Sequence, residues 1–258
     1  MGKLDGRVAI VTGARAGRAI SLGLAREGAD VAVVDCEAAA CEAWAAEVRA
    51  LGRRAMACPI DLFTCHASEV QALVDGVVAE LGSVDVLVNS ASFNPWSFFL
   101  ELSEADFTRA LHIGLTSYFL FCQAAGRHMA RQRRGTMINC SSVVGFFGSG
   151  ESTAFGAAKG GSNAMTKAIA MALGAYGIRA NALAWGPQSI NTEYDQEMVD
   201  ERLRRLPLGR LGTPEDLVGP AVFLACEDSG WVNAHVLYAE GGYTSAAVTE
   251  DKFRPKLD

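Results

Sequence analysis

No run in this 258-residue sequence approaches the roughly 18 consecutive apolar residues that a membrane span needs. A basic excess is missing too: 23 lysines and arginines against 29 acidic residues leave a net charge of −6. A surface of that sign does not neutralise phosphates, which argues against nucleic-acid or anionic-membrane partners. The one dense basic stretch, 127–134, reads as a solvated helix end. There is no CxxC pair and no His/Cys cluster at zinc spacing, and the seven cysteines are an odd number, so neither a disulfide framework nor a metal site is expected. Met1-Gly2-Lys3-Leu4-Asp5-Gly6 leads into the first strand candidate without signal-peptide character. Together these absences predict a soluble, cytoplasmic protein with reduced core cysteines.

What the sequence does have is a regular alternation of short β-branched runs and longer helical stretches, with no linker between them. Strands are predicted at Val8–Val11, Asp30–Val34, Arg54–Ile60, Val84–Asn89, Gly135–Cys140, Arg179–Ala184 and Ala234–Ala239. Helices are predicted at Arg18–Glu27, Ala38–Leu51, Ser68–Leu81, Glu104–Met129, Ala154–Tyr176 and Pro214–Cys226. The strand candidates are apolar almost throughout, as parallel strands covered on both faces must be. This order predicts one α/β domain spanning residues 1–258, built on a doubly wound parallel sheet. Such sheets bind ligands beyond the carboxyl ends of their strands, and the chemistry-bearing motifs fall there.

Thr12-Gly13-Ala14-Arg15-Ala16-Gly17 follows the first strand, where glycines and free helix N–H groups hold a dinucleotide diphosphate. Asp35 ends the second strand 22 residues after Gly13, placed to accept from a ribose and to repel a 2′-phosphate, which favours NAD(H) over NADP(H). With these motifs in place the chain resembles the short-chain dehydrogenase/reductase (SDR) family over essentially its whole length, with the Rossmann-like fold that this implies. The family's loop reads TGxxxGxG; counted back from the following helix, the loop here is two residues short and keeps Gly13 and Gly17. Losing two residues from a tight turn moves the helix start by up to about 3 Å and narrows the diphosphate seat. Further cofactor positions implied by the resemblance are Arg15, Asp61 and Leu62 after the third strand, and Asn89 and Ala91 in Asn89-Ser90-Ala91-Ser92, where the family has NNAG.

The resemblance also implies a Tyr-x-x-x-Lys pair, a Ser 13 residues before the Tyr, and an Asn on the preceding long helix. Tyr exchanges the carbinol proton, the Lys one helical turn on lowers the Tyr pKa, and Ser binds the substrate oxygen. Ser142 and Lys159 match this pattern, but Phe155 stands in the tyrosine's place and Gly114 in the asparagine's. Trp185 replaces the proline of N-x-x-x-P-G, and Gln188-Ser189 reads as a short insertion.

These departures point to non-redox acid/base chemistry of the isomerase, cyclase or lyase type, with no nucleotide favoured as cofactor. Ser142, Lys159 and Tyr118 are the expected catalytic residues. Tyr118 lies four residues after Gly114 on the same helix face, so the missing Asn side chain leaves room for its phenol. Phe93, Trp96, Phe146, Phe147, Phe155 and Trp185, with Gly114 and the carboxylate of Glu151, are the expected pocket wall, suited to a hydrophobic or aromatic small molecule. An NAD-dependent alcohol dehydrogenase or ketoreductase with a different proton donor, and a catalytically silent binding protein, are the alternatives. The resemblance further implies a homodimer or homotetramer.

Overall fold

The β-branched runs form seven parallel strands in the computed structural model, which describes residues 2–189 and 194–245. They are β1 (Val8–Thr12), β2 (Asp30–Asp35), β3 (Ala55–Pro59), β4 (Val86–Asn89), β5 (Gly135–Ser142), β6 (Ile178–Trp185) and β7 (Val236–Ala239), paired in the order β3-β2-β1-β4-β5-β6-β7. The period-2 alternation of strand side chains divides each strand between two cores. Ala9, Val11, Val31, Val33, Val86 and Val88 face one layer of helices; Val8, Ile10, Ala32, Val34 and Leu87 face the other. Burying each of the larger ones stabilises the fold by about 1.5–3 kcal/mol, so the sheet is specified many times over.

On the first face lie α1 (Ala14–Arg26), α2 (Ala38–Ala50) and α9 (Val218–Ala225); on the second lie α3 (Ala67–Leu81), α5 (Ser117–Gln132) and α7 (Thr153–Leu173). The remaining helices, α4 (Glu104–Leu111), α6 (Val144–Phe147) and α8 (Gln196–Arg204), belong to the connections. The winding reverses between β1 and β4, which opens the crevice above Thr12 and Asn89.

Two departures from the sequence reading matter for the site. First, α1 begins at Ala14 rather than Arg18, so the β1–α1 connection is Gly13 alone. Gly13 has φ 80°, and a Cβ there would lie 2.5 Å from the Ala91 backbone, so only glycine makes this turn. Arg15 and Gly17 are therefore helical residues; Gly17 packs against Thr12, Val11 and Trp44 instead of facing a ligand. Second, the long helix predicted at Glu104–Met129 is interrupted by a π-helical turn at His112–Thr116, closed by Ser117 N–H donating to the His112 carbonyl. The wider turn carries Gly114 against α7, where a Cβ would lie 3.1 Å from that of Ala158.

Candidate active site

β5 and β6 end side by side, with Ser142 paired to Trp185, and a cavity of about 450 Å3 opens beyond them. Ser142 lies on its floor, its Oγ accepting from Val144 N at 3.3 Å. Phe155 projects into the cavity from the first turn of α7. One wall is the 92–98 segment, clipped to the segment before α7 by Ser97 N donating to Glu151 O at 3.1 Å and Asn94 Nδ2 donating to Ser152 Oγ at 2.9 Å. The opposite wall is built from α8 and Tyr243.

Behind Phe155, one helical turn on, lies Lys159, only 1% exposed. Its Nζ donates to the Tyr118 hydroxyl at 3.0 Å and to Cys140 O at 2.8 Å, and lies 5.6 Å from the Phe155 ring centroid. Burial among neutral partners pushes its pKa down to about 8, with Cys140 opposing the shift. Tyr118 is fully buried; its hydroxyl reaches Ala91 O at 2.8 Å and Cys140 O at 3.2 Å, and burial, together with Cys140 and Cys122, pushes its pKa well up. It is the neutral acceptor that holds Lys159.

A second cavity, of about 200 Å3, lies at the switch point between Gly13, Asp35, Cys36, Leu62, Ala91 and Ile113. Asp35 Oδ2 accepts from Ala14 N at 2.7 Å and so supplies the helix cap that Gly13 lacks, while Oδ1 accepts from Cys36 N at 2.7 Å. Arg15 and Ser92 line both cavities, beside the N-terminus of α1. For a dinucleotide these residues offer the Asp35 carboxylate to a ribose hydroxyl and the Arg15 guanidinium to a diphosphate, while the first N–H of α1 is already taken by Asp35.

Residues 13–244 match the family described as enoyl-(acyl carrier protein) reductase. The chain is 34% identical over 247 residues to a 2-dehydro-3-deoxy-D-gluconate 5-dehydrogenase of Escherichia coli, covering 93% of this chain and 96% of that one. The chain belongs to the short-chain dehydrogenase/reductase family. It is also 36% identical over 252 residues to an L-rhamnose 1-dehydrogenase (NAD(P)(+)) of Sphingomonas, covering 93% of this chain and 96% of the relative. Among solved structures, a gluconate 5-dehydrogenase from Burkholderia cenocepacia in complex with NADP and tartrate superposes with a TM-score of 0.90 at 31% identity, over 95% of this chain and 97% of that one.

Membership of this SDR group corrects two expectations. Non-redox isomerase, cyclase or lyase chemistry is overturned, because the relatives are dehydrogenases. The expectation of no cofactor falls with it, since one relative is named for NAD(P) and a structural neighbour holds NADP. Both expectations gave the changed side chains more weight than the cavities that the scaffold still forms.

The structure brings Ser142, Phe155, Trp96, Phe147, Glu151 and Trp185 together on the large cavity. Gly114, Tyr118 and Lys159 lie behind its wall, as the helix contacts above require. Phe93 turns away to stack edge-on against Phe63, and Phe146, 66% exposed, packs on Tyr238. On the nucleotide side Gly13, Arg15, Asp35, Leu62 and Ala91 line the small cavity. Asp61 instead closes its own turn, accepting from Phe63 N and Thr64 Oγ1, and Asn89 is buried in a tie between strands through Asn139 Oδ1 at 2.9 Å. Sequence reasoning missed Arg202, Arg205 and Tyr243, which α8 and the chain after β7 add to the cavity. The available signal was the i, i+3 arginine spacing in a polar helical stretch.

Among the described residues no helix is long and apolar enough to cross a membrane. All seven cysteines are free thiols; six are buried and Cys36 is exposed.

Proposed function

We propose that this chain is an NAD(P)-dependent oxidoreductase that interconverts a carbonyl and a hydroxyl group on a small molecule with an apolar or aromatic body, and that it prefers NAD(H). The observation that supports the reading is that Arg15 and Ser92 line both cavities and so stand between the Asp35 end and the Ser142 end. Asp35 and Leu62 hold the adenosine end, and the Asp35 charge disfavours a 2′-phosphate. The Arg15 side chain, exposed and with no carboxylate in reach, pairs with the diphosphate.

When bound, a nicotinamide supplies or accepts the hydride. Ser142 Oγ accepts from Val144 N and keeps its own proton to donate to the substrate oxygen. Lys159, charged below about pH 8, places a positive field behind Phe155, and Tyr118 keeps it there. A phenyl ring carries no exchangeable proton, so the proton of the reacting oxygen passes through another wall residue; Glu151, Glu201, Tyr194 and Tyr243 are the acids on that wall. Phe119 on α5 and Met171 on α7, 46% and 82% exposed, suit a homodimer or homotetramer formed through those helices, and the free thiols suit a cytoplasmic location.

Titration with NADH and NADPH, followed by nicotinamide fluorescence, tests the reading. NADH is expected to bind in the micromolar range and NADPH more weakly; no binding of either at millimolar concentration refutes it. Binding of a carbonyl ligand with no turnover under any nucleotide leaves a ligand-binding chain instead of an enzyme.

A further inference from the structure

The protein carries a net charge of −6, yet the large cavity is lined by three arginines, Arg15, Arg202 and Arg205, against two carboxylates, Glu151 and Glu201. Arg15 also lines the smaller, nucleotide-side cavity. The other two come from α8 and its C-terminal cap, where an i, i+3 spacing puts them on one face.

Several of the protein's other arginines are held by carboxylates, while Arg109, over Phe63 and Phe93 at 4.8 and 4.9 Å, and Arg133, over Tyr176 at 5.4 Å, lie on aromatic faces outside this cavity. Arg210 meets both oxygens of Asp216 at 2.7 Å, Arg54 holds Asp30 at 2.8 Å and Arg134 holds Asp85 at 2.8 Å. Among the described residues Arg202 has no carboxylate partner. Its guanidinium lies over the Tyr194 ring, 4.2 Å from the centroid, and one nitrogen donates at 3.0 Å to Met198 O on its own helix. Arg205 lies over Tyr243 at 4.5 Å and near Phe147 at 5.8 Å, and its nearest acid oxygen, Glu201 Oε1, is 3.9 Å away, beyond hydrogen-bond reach. Both are half-buried. Aromatic faces thus fix the planes of two guanidinium groups and leave most of their in-plane N–H donors unused, the arrangement that receives a planar or tetrahedral oxyanion in a bidentate way.

We propose that the cavity takes a substrate whose aromatic or planar body carries an oxyanion group, carboxylate or phosphate, and that Arg202 and Arg205 are the residues that select it. The substrate then lies with its anion on α8 and its opposite end toward the Ser142 floor. The assignment of Ser142 as the reactive end rests on the function proposed above; the anion site does not.

Calorimetric titration with phenylpyruvate, phenyl phosphate and the neutral phenylacetone separates these readings. One anion is expected to bind about 10- to 100-fold more tightly than phenylacetone, the range for charge-assisted bidentate contacts, and which anion wins distinguishes a carboxylate from a phosphate site. Arg202→Gln and Arg205→Gln are each expected to shrink that preference while leaving phenylacetone binding and the circular dichroism spectrum unchanged, and Arg202→Lys to restore only part of it. Equal affinity for all three probes overturns the proposal. So does a preference that survives both glutamine variants, a preference abolished by Arg15→Gln alone, or no binding of either anion at millimolar concentration. NADH titration runs in parallel: anion preference without NADH binding defeats the oxidoreductase reading and leaves this one standing, and the reverse result defeats only this one.

Discussion

Phe155→Tyr is the substitution that most directly probes the site. The wild-type ring projects into the cavity with Lys159 Nζ 5.6 Å from its centroid. At that separation and an effective dielectric constant of about 20, a unit positive charge favours a phenolate by about 3 kcal/mol. That lowers the pKa of the new phenol by about two pH units. Linkage is reciprocal: the phenolate raises Lys159, which burial has pushed down to about 8, by the same amount. The pair should therefore release one proton near pH ~8 and a second near ~10, and the two steps belong to the pair rather than to either residue. Tyrosinate absorbance, read as the difference between variant and wild type across the alkaline range, follows this without any knowledge of the substrate. An added two-step signal is expected, and its lower step should vanish in the Phe155→Tyr, Lys159→Met double variant. A single step at or above the ordinary phenol value in both backgrounds would show that Lys159 has no electrostatic hold on position 155, and the reasoning fails. Where the lower step is present, carbonyl-reductase turnover with NADH should rise by about 10²–10⁴, the usual contribution of a positioned general acid.

The buried charge on Lys159 also predicts a pH dependence of stability. Between about pH 8 and 10.5 the unfolded chain binds the proton that folded Lys159 has lost, so this group alone raises stability with pH there, by at most about 1.4 kcal/mol per pH unit. Cys58 and Cys122, pushed up to about 12, and Cys65 and Cys140, pushed up to about 11, act in the opposite sense above the thiol reference of 9.0, where the unfolded chain has released protons the folded one retains. Urea unfolding should therefore show stability rising only up to about pH 8, where folded Lys159 is half deprotonated and few unfolded thiols are ionised, and falling beyond as four thiols outweigh one lysine; Lys159→Met should abolish the rise and steepen the fall, and a profile unchanged in the variant refutes the assignment. Gly13→Ala puts a Cβ 2.5 Å from the Ala91 backbone at a φ of 80°, and should lower stability by about 1–3 kcal/mol, a fall in Tm of several degrees by circular dichroism, with NADH binding weakened. An unchanged Tm would mean that the turn relaxes freely.

Strands were the most legible part of the sequence, because β-branched runs such as Val31–Val34 satisfy two cores at once and admit no other register. Helix α1 was misread at its start for a local reason. Ala14-Arg15-Ala16-Gly17 carries no side-chain cap of its own, and the carboxylate that caps it comes from Asp35, on another strand. The π turn at His112–Thr116 has no periodic signature, since one wide turn changes a helix face without changing its composition. Spacing placed Tyr118 beside Gly114, but a Cβ at Gly114 would lie against Ala158, and Tyr118 lies behind the cavity wall on Lys159. Arg202 and Arg205 escaped notice because free and ion-paired arginines look alike in a sequence; what sets these two apart is that both line the cavity while lying over aromatic rings.

Asp35 ties down the start of α1 with one oxygen and its own turn with the other, and the nucleotide site proposed above draws on the same carboxylate. A change of nucleotide preference in this chain is therefore not a surface matter. Replacing the carboxylate with alanine to admit a 2′-phosphate removes the acceptor at the start of α1, a loss of about 0.5–2 kcal/mol, and loosens the helix end that the diphosphate must find rigid. Asparagine, serine or threonine shed the charge and keep an oxygen for Ala14 N–H. On the proposed NAD(H) preference, the sequences open to this chain on the way to NADP(H) are thus confined to a few side chains by a helix cap.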